Sequence, residues 1–297
     1  MPPAAAPVPV ACPFNGIGYV AGLANIGVPD QQAGSPVVLL RRPIVGTGLS
    51  DGMGPWPYAW IGNDDDITAL RACFSHLVSV TTVTQPGYEP PAALVDAVPL
   101  KQHYVYDPSL PTPEHSRRAR LRLRRCEEQA RFEIVSDRPG RLEMVPLYER
   151  LKLRRRFGGS FMDFAAAHFE SIAALDTARF FRVVDDVGTG AMACGVLFGD
   201  MLQILHITTT EHGLGWNASY LLMHGLQGFA RDSGVRLFTG GMPDSGSAGL
   251  RVFKERWAND LAPVYLLRIV NDPARYAELG AGRQPTTFFP AYRAPLP

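Results

Sequence analysis

Two glycines spaced for a phosphate-gripping turn stand in Thr210-Glu211-His212-Gly213-Leu214-Gly215. The segment follows an apolar β-rich run and precedes a long stretch of helical periodicity. Glycine lets backbone N–H groups approach a pyrophosphate, and the first turn of a following helix adds positive potential. The same spacing also suits a tight turn that needs positive φ. Groups able to move a proton surround it: Glu211 and His212 at the mouth, His206 in the run that feeds it, and Asp244 further on. Each has a plainer role open to it. His206 shares a strand face with Ile204 and Thr208 and would serve as a core histidine, and Asp244 would cap the next helix.

Charge is concentrated rather than abundant. The 297 residues carry 29 Lys and Arg against 28 Asp and Glu, a net charge of +1, which excludes a globally basic nucleic-acid coat. Residues 115–156 alone carry +8, with Arg154, Arg155 and Arg156 at their end. Arginine outnumbers lysine there, which suits bidentate contacts to phosphate-rich ligands such as tRNA, a nucleotide sugar or a coenzyme tail. A solvated helix face is the alternative. Cys12, Cys73, Cys126 and Cys194 are widely spaced with no C-x-x-C, so neither a zinc ribbon nor a disulfide framework is expected. No metal site is expected either, because no His/Cys/Asp pair has ligand spacing. The longest apolar runs fall short of a membrane span, and the first residues lack the basic start of a secretory signal. A reduced, cytoplasmic protein is the expectation.

The elements that must position these groups follow from periodicity. Residues 1–35, rich in Ala, Pro and Gly, predict an irregular arm. Strands are predicted at 36–45, 78–84, 100–106 and 132–136, and helices over 63–77, from Pro113 and Glu114 through the arginine run, and over 142–156 and 161–175. Three β-rich runs between 178 and 210 predict an antiparallel meander. A long helix over 217–233, capped by Asn217 and ended by Gly234, comes next. A strand at 235–240, a helix opening at Ser245 or Ser247, a strand at 262–270 and a last short helix complete the order. Trp56, Tyr58 and Trp60 would line an acceptor pocket or make a small local core.

Strand, strand, strand, glycine turn, long helix, strand, helix, strand is the core order of the GNAT (GCN5-related N-acetyltransferase) superfamily. Over roughly residues 100–270 the chain resembles its FemAB-like branch, including the BioF2-like acetyltransferases. Four segments carry the resemblance: EHGLGWNASYLL, VRLFTGG with PDSGSAGL, the Phe-Lys pair of LRVFKERW followed by APVY, and the pattern HSRRARLRLRRC…FEIVSD…LEMVPLYERLKLR…FFRVVDD. The resemblance implies an α/β fold of the α+β kind, a mixed, mostly antiparallel sheet flanked by helices. It also implies two tandem halves, with 36–140 a degenerate GNAT-like copy and 141–297 the catalytic one.

Such proteins move an acyl group from an activated carrier to an amine, so the resemblance implies an N-acyltransferase using acyl-CoA or aminoacyl-tRNA. The acceptor would be a small-molecule amine or amino sugar. The turn would hold the carrier through Thr210, His212, Gly213, Leu214, Gly215, Trp216, Asn217 and Ala218. Thr210 departs from the Arg or Gln usual at that place. Phe253 occupies the place where coenzyme A-dependent members often carry a tyrosine, with Tyr265 as a substitute hydroxyl. Lys254, the lysine of the Phe-Lys pair, would neutralise charge on the acyl carbonyl. The expected catalytic set is Lys254, Glu211, His206 and Tyr265; the expected substrate contacts are Asp244, Ser245, Arg154 and Arg155. A non-catalytic GNAT-like binding or assembly module is the alternative.

Overall fold

Alternating and continuous apolar runs become strands of one sheet in the computed structural model, which describes residues 12–55, 61–160, 162–242, 248–282 and 287–294. In chain order they are β1 Val28–Gln31, β2 Val38–Pro43, β3 Ser50–Met53, β4 Ser79–Val83, β5 Asp96–Tyr106, β6 Arg131–Val135, β7 Ala178–Val184, β8 Thr189–Phe198, β9 Met201–Thr209, β10 Arg236–Gly241 and β11 Asp260–Val270. Across the sheet the order is β1-β2-β3-β4-β11-β5-β10-β9-β8-β7-β6. Among the described residues, the β3–β4 and β9–β10 pairs are parallel and every other neighbour pair is antiparallel. The strands of 36–140 and 141–297 interleave, since β11 lies between β4 and β5.

The helices are α1 Ile17–Val20, α2 Asp64–Cys73, α3 Arg117–Gln129, α4 Arg138–Leu142, α5 Met144–Arg155, α6 Ala166–Ala173, α7 Glu211–Trp216, α8 Ala218–Ser233, α9 Ala248–Arg256 and α10 Pro273–Gly280. Caps fix several starts. Asn63 accepts from the Asp66 amide ahead of α2, whose first turn carries three acids facing the positive helix end. The arginine helix opens later than Pro113, because the Ser116 side chain accepts from the Ala119 amide.

Side-chain alternation divides the core by face. Phe180, Met192 and Cys194 point to one side, where Met144, Leu147 and Tyr148 of α5 and Phe169 and Ile172 of α6 cover them. Phe181, Ala191 and Ala193 point to the other, under Leu222 and Leu226 of α8 and Leu123 and Cys126 of α3. A third cluster joins Leu39 and Val80 to Leu70 and Phe74 beside α2.

The expected irregular arm is corrected for its described part. Residues 12–35 form short helical turns and β1, with Phe14, Tyr19, Val20 and Leu23 fully buried. Composition hid this, because four large apolar side chains outweigh the many Pro, Gly and Ala around them. Gly22 makes the docking possible: a Cβ there would stand 2.5 Å from Ser171 Oγ of α6. Among the described residues no helix is long and apolar enough to cross a membrane.

Candidate functional site

Two parallel neighbours, β9 and β10, pair over three positions and then part. Their register is Arg236↔Met201, Leu237↔Leu202 and Phe238↔Gln203. Both strands bulge where they separate. On β9, Ile204 faces Gly195 and His206 faces Cys194, so Leu205 is an extra residue. On β10, Phe238 faces Val105 and Gly241 faces His103, so Thr239 and Gly240 together oppose Tyr104, and Gly240 takes φ +76°. Such bulges twist a strand away from its partner. The Gln203 side chain covers part of the exposed edge, donating from Nε2 to the Ile204 carbonyl at 2.7 Å.

Lys254 reaches the β10 bulge from α9. Its Nζ donates to the Thr239 carbonyl at 2.7 Å and the Gly240 carbonyl at 3.2 Å, and lies 5.7 Å from the centre of the Tyr104 ring. An ammonium has three N–H donors, and these two bonds satisfy carbonyls that the bulge frees. Burial, with the charge of Lys101 adding to it, lowers the Lys254 pKa to about 8. His103, buried opposite Gly241, is held well below the usual imidazole range by burial and then by Lys101 and Lys254. The end of β10 is therefore a buried, cation-rich place that favours negative charge.

At the same end of the sheet, on the α5 face, the glycine turn is a short helix rather than an open loop. Thr210 caps it: Oγ1 accepts from the Gly213 amide at 3.0 Å and lies 3.1 Å from the Gly190 carbonyl, to which it donates. Gly213 has an ordinary negative φ, and its glycine serves close approach instead. A Cβ there would stand 2.0 Å from the Gly190 carbonyl oxygen. Gly215 has open space at that position, and Leu214 is exposed. The Trp216 ring packs on Gly190, and Ala218 is buried at the start of α8. Asn217, expected to cap α8 through its side chain, instead takes φ 65° and joins the two helices.

A cleft of about 630 Å³ opens between this turn and α5, lined by Arg150, Leu151 and Arg154 on one side and Thr209–His212 on the other. Among the described residues neither Arg150 nor Arg154 has an ion-pair or hydrogen-bond partner. The structure thus brings Arg154 to Thr210, Glu211 and His212. Arg155 is exposed and does not line the cleft. His212 is held by Asp185, with Nε2 2.5 Å from Oδ2. Arg150 was missed by sequence reasoning, although it lies one helical turn before Arg154 and the spacing alone pairs them.

Two expected catalytic residues stand apart from these places. His206 is fully buried among Tyr148, Phe164 and Phe169, with its Nε2 2.9 Å from that of His168. Burial, then His168, keeps it neutral far below its ordinary pKa. The Leu205 bulge turns Ile204 to the opposite face, so the expected Ile204–His206–Thr208 face does not form. Tyr265 lies on β11 beside Glu89, Pro91 and Pro99, in a different pocket from α9. Phe253 packs on Tyr220 and Trp257, with ring centres 5.9 and 6.3 Å away, where no hydroxyl of Tyr265 reaches it. Asp244, Ser245, Trp56, Tyr58 and Trp60 lie outside the described residues.

No family model and no curated protein matches the chain. Solved structures do. FemX is similar over 90% of this chain and 94% of its own, at 12% identity and a TM-score of 0.60. The C-terminal DUF2156 domain of a protein assigned as a lysylphosphatidylglycerol synthetase from Agrobacterium fabrum is similar over 80% of this chain and 81% of its own, at 14% identity and a TM-score of 0.55. L-PGS from Bacillus licheniformis is similar over 79% and 81%, at 14% identity and a TM-score of 0.50. With its meander, its parted parallel strands and its large, mostly antiparallel sheet between helices, this chain has the GNAT/FemAB-like fold.

Proposed function

We propose that the protein is an acyltransferase that forms an amide bond, moving an acyl or aminoacyl group from an activated carrier to a small-molecule amine or amino sugar. The observation that carries this reading is Lys254: a half-buried lysine whose ammonium is fixed at the β10 bulge, just past the point where β9 and β10 part, with one N–H left among the described residues after its two carbonyl bonds. The amine nitrogen attacks the carrier's acyl carbon, the carbonyl oxygen takes up negative charge, and the third N–H of Lys254 steadies it. The bond to the carrier's sulfur or oxygen then breaks, and the amine proton passes through water to the leaving carrier. Arg150 and Arg154 hold an anionic part of a substrate in the cleft. Asp244 and Ser245 would meet the acceptor. One fold neighbour's name, lysylphosphatidylglycerol synthetase, describes a related joining of an aminoacyl group to another molecule.

The carrier is an acyl-CoA or an aminoacyl-tRNA, and two features favour the second. The Gly213 amide is already used by Thr210, and Phe253 has no proton for a departing thiolate. Thermal shifts with coenzyme A and acetyl-CoA, set beside salt-dependent binding of charged tRNA, separate the two. The expected result is tRNA binding that falls steeply with salt. Stabilisation by acetyl-CoA alone would select that carrier instead. Response to neither, together with unaltered function of Lys254→Ala in cells, would make the chain a binding or assembly module.

A further inference from the structure

Far from Lys254, at the β2–β4 end of the sheet, a cavity of about 620 Å³ lies between the strands and the chain segment that follows α10. Its inner end holds a charge imbalance. Asp51 is fully buried and binds two guanidinium groups, Arg42 through Nε at 3.0 Å and Arg293 through Nε and through Nη2 at 3.1 Å. The Tyr292 hydroxyl donates to the same carboxylate at 3.1 Å, with Ser79 Oγ 2.8 Å away. Among the described residues two arginines face one aspartate here, leaving one positive charge in excess. Burial lowers the pKa of Arg42, and the charge of Arg293 beside it adds to that.

Donors remain after this network is counted. Arg42 uses Nε on Asp51 and Nη1 on the Met53 sulfur. Arg293 uses Nε and Nη2, the latter also on the Pro43 carbonyl at 2.9 Å. Arg42 Nη2 and Arg293 Nη1 have no partner among the described residues. The Thr81 hydroxyl on the cavity wall is buried and also lacks one. The outer walls are apolar and reach the surface, where Val45 is 94% exposed and Phe288 48%. A cavity of this size, apolar outside with a few converging donors inside, has the build of a small-molecule site.

We propose that this cavity binds a small amphipathic carboxylate, its single negative charge on the Arg42–Arg293 donors and its apolar body against Val45 and Phe288. A planar carboxylate matches the guanidinium fork, and one charge neutralises the cluster where two would overshoot. The site is independent of acyl transfer at Lys254, so either reading can fail alone. Titration calorimetry on the full chain with octanoate, octanamide, acetate and inorganic phosphate tests it. Octanoate is expected to bind at least about tenfold more tightly than each of the other three. Arg293→Lys is expected to weaken octanoate about tenfold by losing the fork. Phe288→Ala, at the half-exposed rim, is expected to weaken it severalfold in a chain that still unfolds cooperatively, which keeps the test valid should the arginine variant fail to fold. Octanamide or acetate binding as well as octanoate, phosphate binding more tightly, no binding of octanoate below about 10 mM, or octanoate binding undiminished in the Phe288 variant would each overturn the proposal.

Discussion

Lys254 and the Arg150–Arg154 pair lie at one end of the same sheet, on opposite faces, and their charges are held in opposite ways. Lys254 is half-buried, its ammonium shared between two carbonyls at a bulge, and desolvation has brought its pKa down to about 8. The arginines line an open cleft without partners among the described residues. A charge fixed in a dry place acts strongly on one developing atom, because no solvent must reorganise. Solvated charges act over distance, are screened by salt and mostly set affinity. The first arrangement suits a chemical step and the second suits holding an anionic substrate.

Removing the buried charge is the harshest way to break this contrast. Lys254→Ala is expected to lower turnover by about 10²-fold or more with little change in carrier affinity, measured as separate kcat and KM effects. Equal losses in binding and turnover would leave the lysine with a gripping role only. The glycine turn gives the next largest effect. Gly213→Ala forces a Cβ to 2.0 Å from a backbone oxygen and is expected to cost about 3 kcal/mol in urea unfolding, while Gly215→Ala, with nothing within 4 Å, costs nothing. Similar stabilities for the two variants would contradict the packing of α7 on β8.

Acidity sharpens the comparison further. If the charged lysine steadies the carbonyl oxygen, the rate falls as pH rises through about 8, and Lys254→Arg abolishes that fall. Stability moves the other way. Between about 8 and 10.5 the unfolded chain keeps a proton that the folded chain has lost, so resistance to urea rises with pH over that window. A rate that is flat up to pH 10 would count against the charged form. The smallest effect belongs to the open pair. Arg150→Ala with Arg154→Ala is expected to weaken binding of the anionic substrate about tenfold, to lower its salt slope by about 1–2 if that substrate is a nucleic acid, and to leave kcat nearly unchanged. An unaltered salt slope would return the two arginines to mere solvated surface.

The meander, the long helix and the strands around them were legible because local periodicity and caps decide them, as with Gly234, whose φ of 66° ends α8. The N-terminal burial was not, since it depends on four side chains finding α6. His206 read as core more readily than as a base. In the structure His168, 38 residues away, places a second imidazole on its Nε2. Thr210 looked like a departure from a binding pattern, and its hydroxyl turns out to cap α7.

The order of elements, the basic middle of the chain and the presence of a lysine beside Phe253 were determined by the sequence alone, since they need only propensity, spacing and charge. Tertiary structure alone decided which groups meet. Bulges on two adjacent strands open the sheet at Lys254, close packing on Gly190 fills the glycine turn, and Arg42 and Arg293, 251 residues apart, converge on Asp51. Such meetings depend on long-range register, which no local window of residues contains.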